Sequence, residues 1–177
     1  MTAYGLNNKC FMANRTITKE SLLEAATTVA AGYQDEQLRL LDKMLKDQPA
    51  LLKFLEYLDG TSEHAPTKEI ILQLMMIFYY AILVQKIKVA KIPYSDFLDS
   101  IFLNIIMKEY YDDPDEPFQK ESFEVFFDNY PQKEILHYTN VALNDHYNEY
   151  ITEEQEAAHI FYVMKIFGEV VDQNIIE

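Results

Sequence analysis

Between Ile70 and Val84 the chain carries a run of apolar residues interrupted only by Gln73. On a helix such a run presents apolar surface in every direction, so other elements must surround it. It falls short of the ~20 residues needed to cross a bilayer, and Lys86, Lys88 and Lys91 follow it. The expectation is a central core helix over about residues 67–88, capped by Thr67, inside an all-α bundle.

The rest of the chain supports helices rather than strands. It has no Asn-Gly or Asp-Gly hairpin dipeptide, no sustained alternation and no fixed-period repeat. Ser21 with Glu24 reads as a capping box for a helix over about 18–31, stopped by Gly32. Leu38, Leu41 and Leu45 share one face of a second helix, about 35–46. Pro49 suits the first turn of a third, about 49–58, where its missing N–H is harmless. Beyond the central helix, Phe97, Ile101 and Ile105 form the inner face of a fifth, about 95–110. Further helices are expected over about 118–128, 131–147 and 152–172, the last opened by Thr152 and Gln155 as a capping box. The chain therefore reads as a flexible tail over residues 1–15 and one all-helical domain of about seven helices over 16–177. The tract Asp112-Asp113-Pro114-Asp115-Glu116-Pro117 is a candidate sub-boundary.

Charge is unevenly placed. The net charge is −14 over 177 residues. Residues 1–107 hold 11 Lys+Arg against 12 Asp+Glu, whereas residues 108–177 hold 4 against 17. A negative field repels phosphate backbones and anionic lipid and attracts basic surfaces. Direct nucleic-acid binding and membrane binding are disfavoured; a basic protein partner is favoured. The one cysteine, Cys10, cannot form an internal disulfide, and Met1–Asn14 lacks the apolar core of a secretory signal, so a reducing, cytoplasmic setting is expected. Met12 is an alternative start to Met1.

Motifs for chemistry are sparse. Gly5, Gly32, Gly60 and Gly168 are isolated, so there is no phosphate-cradling loop, and no nucleophile motif is present. Glu-x-x-His occurs at Glu134–His137 and Glu156–His159, the spacing used in di-iron bundles. His137, however, falls opposite the apolar stripe Ile135, Leu136, Ala142, Leu143, and an outward ligand cannot line a core. The two motifs also sit at unequal depths from the turn between their helices, ~15 Å and ~6 Å at 1.5 Å per residue. Asp113, Asp115 and Glu124 echo a calcium loop, but Pro117 and Phe118 stand where a ligand and a glycine are required.

His146 is read inside the apolar stripe of its helix, where a histidine is ordinarily a hydrogen-bonded core residue. Glu156 lies at matching depth on the next helix and His159 one turn beyond it. These three could hold a divalent transition metal; no other cofactor is expected. The 13 Tyr and 11 Phe fill gaps between helices or supply an apolar face for a partner or a second copy.

Two functions fit these features. The favoured one is a non-catalytic interaction or regulatory protein that docks a basic partner or self-associates. Its partner-facing acids would be Asp112, Asp113, Asp115, Glu116, Glu153 and Glu154. The alternative is a helical-bundle metal- or small-ligand-binding protein with its site at His146, Glu156 and His159.

Overall fold

The structure is a computed structural model and describes residues 16–59, 65–111, 130–151 and 154–176. Among these residues it is an all-α bundle: α1 (Lys19–Ala31), α2 (Gln34–Asp47), α3 (Ala50–Asp59), α4 (Ala65–Val84), α5 (Tyr94–Tyr111), α6 (Lys133–Asp145) and α7 (Glu154–Gln173). The proposed tail over 1–15, the proposed helix over 118–128, the acidic tract 112–117 and Thr152 lie outside the described residues.

The apolar run forms α4, which packs against α1, α2 and α7. Ile70, Ile71, Leu74, Met75, Ile77, Phe78, Ala81 and Ile82 are all buried, so its sides are covered by neighbouring helices. By length and composition alone α4 could cross a membrane; in this fold most of it is enclosed by the bundle. The second hub is α7, which buries Ile160, Val163, Met164, Phe167, Val170 and Val171 and packs against α4, α5 and α6. One hydrophobic cluster runs from Ile17 to Val171.

Several helix ends differ from the sequence expectation, each for a local reason. The cap of α1 is Thr18, whose hydroxyl accepts from the Ser21 N–H at 3.3 Å. Ser21 is instead buried and donates to the Thr18 carbonyl and to Gln85 Oε1. Thr67 does not cap α4, which starts at Ala65 and buries Thr67 in its first turn. Helix α4 stops at Val84 rather than near Lys88. Lys86 takes a left-handed φ of 56°, and the Ile87 N–H reaches back to the Ile82 carbonyl at 3.0 Å while the Lys86 N–H meets Leu83 O at 3.1 Å. This pair of bonds is the Schellman arrangement, which ordinarily places glycine where Lys86 stands.

The extended segment after α4 is held from two directions. Ala90 N–H donates to Asn174 O and Ile176 N–H to Lys88 O, both at 2.8 Å, around an antiparallel bridge of Val89 with Ile175. The buried Gln48 amide donates to Ala90 O and accepts from the Ile92 N–H, both at 2.9 Å. The segment leads into α5, where Phe97 stacks on Phe54 of α3 at 4.5 Å between ring centres.

Candidate functional site

His146 stands at the end of α6, and Glu156 and His159 lie one turn apart on α7. Helix α6 ends at Asp145, so His146 is its C-cap and leaves the helical periodicity. Its N–H closes the helix on Ala142 O at 2.9 Å, and its side chain is exposed. The expectation that His146 sits within the apolar stripe is therefore corrected: the helix ends one residue short of it and the stripe ends at Leu143. Glu156 and His159 are half-buried on α7. The Nε2 of His159 is buried and meets no hydrogen-bond partner among the described residues. Burial pushes this ring below the ordinary value of 6.5, so the fold accommodates the neutral imidazole. Among the described residues no three His, Cys, Asp or Glu side chains come together as a metal-holding group. His137 is exposed, as its place opposite the stripe requires.

Of the expected partner-facing acids, Asp112, Asp113, Asp115, Glu116 and Glu153 lie outside the described residues. Glu154 opens α7.

The polar chemistry that the structure does assemble lies between α5 and α7. Lys165 and Glu169, one turn apart on α7, form an ion pair at 2.5 Å with side chains only 16% and 21% exposed. Such a pair needs further hydrogen bonds to offset its desolvation. Helix α5 supplies them. Ser100 Oγ donates to Glu169 Oε2 at 2.6 Å, Asn104 Nδ2 donates to the same oxygen at 2.8 Å, and Lys165 Nζ donates to Asn104 Oδ1. Asn104 also donates back to the Ser100 carbonyl at 2.8 Å. Nearby, the Tyr130 hydroxyl donates to the Lys165 carbonyl at 2.6 Å. Burial, and then the negative charges of Glu169 and Asp172, push that phenol far above the ordinary tyrosine range. Gly168 permits this approach, because a Cβ there would stand 2.7 Å from the Tyr130 oxygen.

Two smaller polar joints do similar work elsewhere. Gln132, buried in front of α6, accepts from the Ile17 N–H at 3.0 Å and donates to Asp172 at 2.8 Å. Burial raises the Asp172 carboxyl, and the Gln132 bond works against that shift. The Tyr79 hydroxyl donates to Asp47, joining α4 to α2. Burial first, and then that bond, push the Tyr79 phenol up to about 12.

With its inner face satisfied by α7, α5 turns apolar side chains outward. Leu98 is 45% exposed, Phe102 64%, Leu103 58% and Ile105 45%. The expected inner stripe is thus corrected at one position: Phe97 and Ile101 are buried, but Ile105 is not. Leu98, Phe102 and Ile105 are spaced i, i+4, i+7 and form one stripe. Elsewhere among the described residues the large exposed apolar side chains are spread over α1, α2, α3, α6 and the segments outside helices, which is ordinary for a protein surface.

The polar cluster and the exposed stripe were both missed in the sequence. The available signal for the cluster was a pair of polar residues at i, i+4 on each of two otherwise apolar segments, Ser100 with Asn104 and Lys165 with Glu169.

No family model matches the chain, no curated protein matches it, and no solved structure matches its fold.

Proposed function

We propose that this chain is a non-catalytic interaction protein that docks a basic protein partner. The observation that carries the reading is the charge division: 17 acids against 4 bases over residues 108–177, beside near balance in the rest. A field of that sign draws cationic surfaces and speeds their encounter, and it opposes phosphate backbones and anionic membranes. Asp112, Asp113, Asp115, Glu116, Glu153 and Glu154 are the acids assigned to the contact. A non-catalytic role is supported by the use made of the polar clusters between helices. Their donors and acceptors are engaged with one another, joining α5 to α7 and α2 to α4. The single cysteine fits a reducing, cytoplasmic setting for such a protein.

The test is binding of a dye-labelled Leu/Lys peptide, patterned as an amphipathic helix, measured by anisotropy across a salt series. Affinity should fall steadily as ionic strength rises, because screening removes attraction between exposed charges. The combined change Asp112→Asn, Asp113→Asn, Asp115→Asn, Glu116→Gln should weaken the low-salt affinity. Binding that is indifferent to both salt and these substitutions would remove the reading.

A further inference from the structure

We infer that the outer face of α5, built from Leu98, Phe102, Leu103 and Ile105, receives the apolar side of a short basic amphipathic helix from a partner protein. The inference rests on the basic-partner reading above and adds to it the docking surface and the form of the ligand.

The fold itself fixes this face outward. Turning α5 to bury the stripe would pull Ser100 and Asn104 away from Glu169 and Lys165, leaving a largely buried ion pair without the hydrogen bonds that balance its desolvation. The exposure is therefore a consequence of the polar joint between α5 and α7.

Size and charge select the occupant. At roughly 200 Å² for a whole large side chain, the exposed fractions leave on the order of 400 Å² of apolar surface. That is about half of the ~800 Å² per partner in a standard interface, and far less than an obligate dimer buries. From Leu98 to Ile105 the stripe runs ~10 Å at 1.5 Å per residue, or two helical turns. Anchors at i, i+4 and i+7 over two turns match a single helix laid alongside. A second copy would bring another net charge of −14 against the first. Between Leu98 and Ile105 the only charged residue is Asp99, again an acid. Both features favour a cationic helix over self-association.

The experiment uses the full chain and the same labelled Leu/Lys peptide at low salt, with circular-dichroism melts to verify that each variant is folded. Leu98→Ser/Phe102→Ser should weaken binding at least tenfold. Leu38→Ser, at an exposed position on α2, should leave it unchanged. If the α5 variant binds like the unmodified chain while salt still weakens both, this surface is wrong and the basic-partner reading stands. If the unmodified chain does not bind the peptide at low salt, both fall. Sedimentation giving a dimer that Leu98→Ser/Phe102→Ser dissociates would assign the face to a second copy and overturn the inference. A Phe102→Cys side chain, in a Cys10→Ser background, that resists maleimide in the monomer would overturn it too, because the chain would already cover its own stripe.

Discussion

Helices α4 and α5 both carry many apolar residues, α4 the more, and are used in opposite ways. Helix α4 is surrounded, and its apolar side chains are spent on the core. Helix α5 keeps Phe97 and Ile101 inside but places Ser100 and Asn104 beside them, and it sends Leu98, Phe102, Leu103 and Ile105 outward. Apolar content decides whether a helix packs, whereas the neighbour decides which way it faces. The neighbour here is α7. Its Lys165–Glu169 pair is too enclosed to be solvated by water alone, so it recruits the polar residues of α5.

The largest effect is expected in α4. Phe78 is fully buried and meets the Tyr138 ring edge-on at 6.0 Å. Phe78→Ala should cost about 3–5 kcal/mol in a urea titration, the transfer term plus the cavity left behind. A loss below about 1 kcal/mol would mean that α4 is not the rigid centre of the fold.

Next comes the polar joint. Lys165→Met should cost about 2–4 kcal/mol, somewhat less than for a fully buried pair, because the Glu169 carboxylate loses its cation while remaining mostly enclosed. Adding Glu169→Gln should restore part of the loss. Strict additivity of the two changes would show that they do not act as a unit.

Two smaller effects are expected at Lys86 and Phe102. Lys86→Gly should stabilise by about 1 kcal/mol, since glycine adopts the left-handed conformation at the end of α4 without the strain a side chain incurs. Phe102→Ser on α5 should change stability by no more than about 0.5 kcal/mol, as expected for an exposed position. A thermal melt that drops as far for Phe102→Ser as for Phe78→Ala would erase the distinction between the two helices.

The centre of the fold was legible because fifteen nearly uninterrupted apolar residues admit few alternatives to a surrounded helix. The all-helical class followed from the same logic. Ends were harder. Thr18 and Ser21 are both good caps, and only the later packing of Ser21 against Gln85 separates their roles. Lys86 carries no local mark of a left-handed residue, so the stop at Val84 was invisible. His146 was misjudged because helical periodicity was extended one residue past the true end of α6. On α5, Phe97 and Ile101 were read correctly as inner residues. Ile105 was not, because the periodicity of one helix contains no information about the ion pair facing it.

The bond between the Ile17 N–H and Gln132 Oε1 spans 115 positions, and the bridge of Val89 with Ile175 joins the middle of the chain to its last described turn. Helical bundles ordinarily assemble quickly because their contacts are local. This one closes late. On a ribosome that adds residues one at a time, α1 to α4 can dock early, but the α4–α5 connection gains its second side only after residue 176 emerges. Until then Ala90 N–H and Lys88 O lack the partners that Asn174 and Ile176 supply in the finished fold.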